Sequence, residues 1–388
     1  MARFPMMVAS TQGIAHVLAT HNHIQTGSNI AWTVNSGFRQ ILACNNTSLS
    51  DMNVWLDTPP GSSTSQIFYS RKNLSLDNLT CTISDSGVYG RDDTNSTSLV
   101  AGDTADIYHT WSGAVADPTN CRWSFMQNGT YQQLYVSSAA VVTATSYIGV
   151  QAGGNFSTTE ADAAQVFPTG GTLQNLYAYL GSGTLTSGNY VVTMYKNGSP
   201  TSMTCTLDSS NRLNFDTSNT VSVAEGDLIS WEMARNTPSS NRTILIACEF
   251  VPTNANEAVI LVSTGGTAVT HTVRNTSPFY TCANLFGTGE SAGKQAFALP
   301  CKFKKIYAKL GTAPGTGYSR TFGLGLNGGD SPLSVTISDT NTSGSTSKVQ
   351  TVYLGDLINT TSILSSASGA SSTFKIGFVF EPYNAGIF

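Results

Sequence analysis

Three stretches of the chain alternate apolar and hydroxyl-bearing side chains: Leu79-Thr80-Cys81-Thr82-Ile83, Met203-Thr204-Cys205-Thr206-Leu207 and Leu333-Ser334-Val335-Thr336-Ile337. A period of two sends successive side chains to opposite faces of a strand, so each stretch predicts a half-buried strand with Cys81, Cys205 and Val335 facing inward. A Gly-Asp step follows each one: Gly102-Asp103, Gly226-Asp227 and Gly355-Asp356. The glycines lie 21, 21 and 20 residues beyond the central apolar residue. Lys72-Asn73 precedes Lys196-Asn197-Gly198 by 124 residues, the separation of Cys81 from Cys205. Leu326-Asn327-Gly328 follows after a further 130, the separation of Cys205 from Val335. At the same 130, Leu176-Tyr177-Ala178-Tyr179-Leu180-Gly181 matches Ile306-Tyr307-Ala308-Lys309-Leu310-Gly311. So do Ile246, Cys248, Phe250, Pro252 and Asn254 with Ile376, Phe378, Phe380, Pro382 and Asn384.

Shared offsets over this span mean internal repetition. The reading is an all-β chain of three tandem β-sandwich domains of jelly-roll-like type, at residues 1–130, 131–254 and 255–388. Each has room for roughly seven to nine short strands, and the pattern does not choose between a jelly roll and another Greek-key sandwich. Linkers are short, which predicts a rod or a compact triangle. Both the Gly-Asp and Lys-Asn-Gly steps read as hairpin turns, with glycine supplying positive φ and the aspartate bonding an amide two residues on. The first copy diverges most. It has Leu74 where the others have glycine, an apparent insertion between Ala43 and Phe68, and a last strand (Cys121, Trp123, Phe125) displaced by about one position.

Composition agrees with this picture and narrows function. Charged residues are 11% of the chain, far below the roughly 25% of an average domain, while hydrophobic residues are 40% and glycines number 36. The net charge of −4, from 19 basic and 23 acidic residues, leaves no cationic face for nucleic acid beyond Lys302-Phe303-Lys304-Lys305. No apolar run approaches the roughly 20 residues of a membrane span. The opening residues carry no sustained apolar stretch of the kind a secretory signal needs.

The candidate chemistry is sparse. Cys81 and Cys205 align with Val335, and Cys248 with Phe378, so these of the seven cysteines read as buried apolar residues rather than disulfides or metal ligands. Cys282 and Cys301 are left open as a pair. His21 and His23 share a strand face, yet a metal site would need a third ligand such as His16, and surface imidazoles are the plainer account. Asp92-Asp93 suggests calcium less than it suggests solvated loop acids. No Gly-x-Ser-x-Gly elbow exists, since Gly181-Ser182-Gly183 lacks the strand–turn–helix context, and seven glutamates offer no evident catalytic pair. The chain therefore reads as a non-enzyme with no catalytic, cofactor or metal residues. Aromatic residues concentrated in the first copy, Trp55, Phe68, Tyr69, Tyr108 and Trp111, mark a possible contact surface, weighed against an ordinary place in the core.

The segment from Ser218 to Ser230, with Val221 and Val223 before Gly226-Asp227 and Ile229-Ser230 after it, resembles strands of the C1q/TNF-like jelly rolls of bacteriophage virion proteins. Capsid decoration proteins, head fibres and tail appendages of that kind share the low charge and the tandem sandwiches. The resemblance implies a virion structural protein, assembled in a host cytoplasm as a homotrimer or docked on a capsid symmetry axis. Its partners would be its own copies, other virion proteins and a host surface glycan. The alternative is a secreted glycan-binding adhesin module.

Overall fold

The computed structural model describes residues 2–10, 20–22, 27–28, 32, 40–115, 118, 120–138, 140–151, 156–181, 183–238, 240–269, 275–277, 294–297 and 300–381. The first unit contains β1 (Ala2–Ser10), β2 (Thr20–Asn22), β3 (Gly27–Ser28), β4 (Ile41–Leu42), β5 (Thr47–Leu56), β6 (Gly61–Lys72), β7 (Ser75–Asp85), β8 (Tyr89–Leu99), β9 (Thr104–Ser112) and β10 (Cys121–Gly129). In the second are β11 (Gln132–Ser137), β12 (Ser146–Ile148), the short helix α1 (Glu160–Ala163), β13 (Gln165–Val166), β14 (Gly171–Leu180), β15 (Asn189–Lys196), β16 (Ser199–Leu207), β17 (Leu213–Asp216), β18 (Val221–Val223), β19 (Leu228–Asn236) and β20 (Ile244–Pro252). The third has β21 (Ala258–Ser263), β22 (Asn275–Ser277), β23 (Gln295–Ala296), β24 (Cys301–Leu310), β25 (Gly315–Leu326), β26 (Gly329–Asp339), β27 (Ser343–Val352), β28 (Leu357–Leu364) and β29 (Phe374–Glu381).

Strand order identifies the sandwich. In the third unit one sheet runs β21-β29-β24-β27 and the other β22-β28-β25-β26, with β23 also on β28. Counting β22 and β23 as one arm, this is the one-eight-three-six and two-seven-four-five order of a jelly roll. The second unit repeats it as β11-β20-β14-β17 and β12-β19-β15-β16, and the first as β1-β10-β5-β8 and β2-β9-β6-β7. Cys81 sits opposite Phe68, Cys205 opposite Val192 and Val335 opposite Phe322, all buried at one position of one strand. Trp123 and Trp231 are fully buried in the first two cores.

Two sequence readings are corrected. No insertion separates Ala43 from Phe68: Ile41 opposite Ala105 corresponds to Gln165 opposite Ile229, and Phe68 to Val192, each pair 124 apart. The inward residues Met52, Val54 and Leu56 simply replace Leu176, Ala178 and Leu180, which hid the match. Nor is the Gly-Asp step a hairpin. In the second unit it carries the chain from β18 in one sheet to β19 in the other. The displaced last strand is real, since Asn53 faces Ser124 where Tyr177 faces Ala247.

The three units close on one another as a triangle. The short strand β4 pairs with β9 and lies against β11, β14 and β20 of the second unit. Its counterpart β13 pairs with β19 and lies against β21, β24 and β29 of the third. The third counterpart, β23, pairs with β28 and lies against β1 and β10 of the first. Each core also recruits side chains from a neighbour: Tyr135, Leu245 and Ala247 join the first, Val259 and Leu261 the second, and Phe4 the third. A head-to-tail contact that closes after three steps is a cyclic arrangement made by one chain.

Candidate functional site

The repeated turn residues form one lock per unit. Asn197 occupies the left-handed region at φ 52° at the tip of the β15–β16 hairpin. Its side-chain Nδ2 donates to Asp227 Oδ1 at 2.8 Å, and its side-chain Oδ1 accepts the Leu228 main-chain amide at 2.8 Å. Asp227 Oδ2 then takes the Ala224 amide, three residues back rather than two on, and the Lys196 ammonium at 2.9 Å. Asn73 and Asp103 repeat this in the first unit, with Lys72, and Asn327 and Asp356 in the third, where Leu326 stands in the lysine's place. Burial alone would raise the Asp227 and Asp103 carboxyls, but the bonds from Asn197, Lys196 and Ala224, and from Lys72, Val100 and Asn73, leave both below the ordinary range. These residues brace two sheets.

A second set of polar side chains holds the seams. Strands β11 and β21 each form one edge of their sheets, so their outward amides and carbonyls need partners. Gln132 reaches across and pairs with Val259 twice, Nε2 to its carbonyl at 2.9 Å and Oε1 from its amide at 2.8 Å. Gln151 accepts the Leu261 amide at 2.8 Å, and Gln165 donates to the Leu261 carbonyl at 3.1 Å. At the preceding seam Gln127 accepts the Gln133 amide, while Gln133 accepts the Cys44 amide and donates to the Asn45 carbonyl. Glu249, buried there, is held by Asn45, Gln174 and Asn175. The closing seam has Arg122 donating to the Lys294 carbonyl at 3.0 Å.

The aromatic residues singled out in the first unit do not share one surface. Phe68 is core, 4.8 Å between ring centroids from His109, and Trp111 stacks on the same imidazole at 6.0 Å. Tyr69 and Tyr108 are opposite each other on the outer face of β6 and β9, with the Arg71 guanidinium 5.5 Å over Tyr108 and bonded twice to Asp106. Burial pushes the Asp106 carboxyl up to about 6 despite that pairing. Trp55 lies on the outer face of the other sheet, beside Tyr89.

Cys44, Cys81, Cys121, Cys205, Cys248 and Cys301 are free and buried; Cys282 lies outside the described residues. Burial, with the nearby Asp92 and Asp216 carboxylates, pushes Cys81 and Cys205 up to about 12. His21 is opposite Tyr108 along the backbone, while His16 and His23 are outside the described residues. The reading of Asp92 as a solvated loop acid is corrected: it is buried on β8, where Thr80, Thr94 and Asn95 together donate to both of its oxygens, and Asp216 is engaged likewise by Thr204, Ser218 and Asn219. Among the described residues no group of three or more His, Cys, Asp or Glu could hold a metal ion, and no helix is long and apolar enough to cross a membrane.

The sequence pointed to the lock residues but not to their pairing. The signal was present in the spacing, since Asn73–Asp103, Asn197–Asp227 and Asn327–Asp356 recur together. Of the seam glutamines, Gln165 recurs as Gln295 in the third unit, whereas Gln132, Gln133 and Gln151 stand where the other units carry different residues.

No family model matches the chain, and no curated protein matches it. Among solved structures, a chain of "The Triple Jelly Roll Fold and Turret Assembly in an Archaeal Virus" is similar over 88% of this chain and 81% of that one, at 12% identity and a TM-score of 0.19. A chain of "Life in the extremes: atomic structure of Sulfolobus Turreted Icosahedral Virus" is similar over 88% and 82%, at the same identity and TM-score. At that score the backbones do not superpose, and the jelly-roll assignment stands on this chain's own strand order.

Proposed function

We propose that the chain is a non-enzymatic structural protein of a virus particle, a capsid decoration, fibre or tail-appendage component of a bacteriophage assembled in the host cytoplasm. The observation that carries this reading is the closed triangle of three jelly rolls. The threefold packing expected of a homotrimer is already present inside a single chain, which gives a body shaped for a threefold position. The six described cysteines are buried and form no disulfide, which suits assembly in a reducing compartment, and the carboxylates of the repeated turns are consumed in bracing sheets. Antibody labelling and cryo-EM of particles from the native source test the reading. Density for the triangle on the particle would support it. Its absence from purified particles would sink it.

A glycan-binding role is the second reading. The feature favouring it is Phe215, 53% exposed and stacked on Tyr177 with ring centroids 5.1 Å apart, an apolar platform of the kind on which a sugar ring rests.

A further inference from the structure

The three locks are built alike, but the residue that follows each asparagine is not the same. The two-residue loops Asn73-Leu74, Asn197-Gly198 and Asn327-Gly328 all take positive φ at both positions, a conformation that suits glycine at the second. Gly198 and Gly328 obey, at φ 79° and 89°. The first unit has Leu74 there at φ 71°, where an L-residue is strained. All three tips are exposed to water.

An asparagine followed by glycine loses its carboxamide without any enzyme. The next main-chain nitrogen, once deprotonated, attacks the asparagine Cγ: a C–N bond forms, the Cγ–Nδ2 bond breaks, and ammonia leaves. Water then opens the cyclic imide at one carbonyl or the other, giving aspartate or isoaspartate. Glycine has no Cβ, so its nitrogen swings onto the carboxamide freely. A leucine side chain obstructs that approach.

In the folded chain the lock opposes the reaction. Asn197 Nδ2 is held on Asp227 and its Oδ1 on the Leu228 amide, so the carboxamide turns toward Gly198 only when the lock opens locally. The locks are not equally fastened. Lys196 pairs with Asp227 at 2.9 Å, whereas in the third unit Leu326 offers no ammonium. There the Asp356 carboxylate is held by Asn327 and the Tyr353 amide. The remaining asparagine–glycine pair, Asn128-Gly129, ends β10 with Gly129 opposite Ala2. Asn128 Nδ2 donates to Ser48 and Ser50, and its Oδ1 accepts Arg3.

We infer that Asn327 and Asn197 are sites of spontaneous deamidation, with Asn327 converting first, and that each conversion unfastens its own lock. The new carboxylate stands against Asp356 or Asp227 where an amide donor stood, and two like charges replace a hydrogen bond. An isoaspartate also reroutes the main chain through the side chain, which the tight turn does not accommodate. Leu74 spares Asn73, so the first unit keeps its lock on a strained tip. None of this requires a virus particle, and it stands or fails separately from the proposed function.

Peptide mapping by mass spectrometry of the full chain, held in mildly alkaline buffer, tests it. Asn327 is expected to convert ahead of Asn197, with Asn73 and Asn128 intact over the same period. The urea midpoint is expected to fall as conversion proceeds. Leu74→Gly should make Asn73 convert as well. Lys196→Leu, which copies Leu326 at an exposed position, should bring the rate at Asn197 up to that at Asn327 and leave Asn327 unchanged. Asn197 and Asn327 intact in the folded chain, while both convert in guanidinium chloride, would overturn the inference. So would Asn73 converting as fast as Asn327 in wild type, a Leu74→Gly chain whose Asn73 stays intact, or full conversion with an unchanged urea midpoint.

Discussion

Asn197 and Asp227 are bonded to each other at 2.8 Å, although one closes a hairpin within a sheet and the other ends a crossing between sheets. The same contact recurs as Asn73 with Asp103 and Asn327 with Asp356, both at 2.7 Å. A backbone held left-handed at the asparagine and at the glycine before the aspartate brings two distant turns within reach of one amide.

Breaking that lock should cost stability. Asn197→Ala removes a donor to a carboxylate and an acceptor for the Leu228 amide, so a loss of about 1–3 kcal/mol is expected in urea unfolding. A change within error of zero would mean the turns hold without it.

The acid limb of stability should reflect the lock aspartates. Asp103 and Asp227, with Asp92 and Asp216, titrate lower in the folded chain than in the unfolded one. Their contribution is present above the unfolded value of about 3.9 and is lost as pH falls through the lower folded values. Asp106 has the opposite sign. Its folded value of about 6 means that stability declines as pH rises from about 4 to about 6. Asp106→Asn, which places there the residue found at the equivalent Asn359, should flatten that decline. An unchanged pH profile of the urea midpoint would contradict the assignment.

Thiol labelling should be all or none. Cys44, Cys81, Cys121, Cys205, Cys248 and Cys301 should resist alkylation until the chain unfolds, because burial keeps them out of reach. Cys205→Val, copying Val335, should change stability by less than about 1.5 kcal/mol. Rapid native labelling of Cys205, found by mass spectrometry, would place it outside the core.

The seam glutamines should matter more than ordinary surface amides. Gln132→Ala removes both of its bonds to the Val259 main chain at a buried edge, and about 1–3 kcal/mol for each group left unsatisfied is expected. Limited proteolysis should then cut near residues 253–257 sooner than in wild type. Equal rates would show that apolar packing alone holds the seam.

Leu74→Gly alone should stabilise the chain by about 1 kcal/mol, the cost of a left-handed non-glycine residue. A loss of stability would mean the leucine packs within its own chain.

How much of this was legible follows from the kind of signal each feature leaves. Alternation at Leu79–Ile83 and its echoes disclosed strands, inward faces and three copies, since period two and fixed offsets survive substitution. Cys205 could be assigned to the core because Val335 stands at the same place. The lock was half visible: Asn197 and Asp227 were recognisable as turn residues, but a bond across 30 positions is tertiary. The triangle was invisible in Gln132, Gln151 and Gln165, whose role depends on where a neighbouring edge strand lies. Local pattern likewise could not separate Phe68, in the core, from Tyr69, one residue later on the outer face.

The triangle has a consequence for how such a body meets a support of threefold symmetry. Three separate subunits would present identical sides, and every one-third turn would give the same fit. Here the sides are chemically distinct: Leu74 at one tip, Gly198 at the next, Gly328 at the third. Seating has three settings of unequal energy, so the chain can be keyed to a single one. Tethering also holds the three units at a high effective concentration, so the shape survives dilution that would dissociate three free subunits.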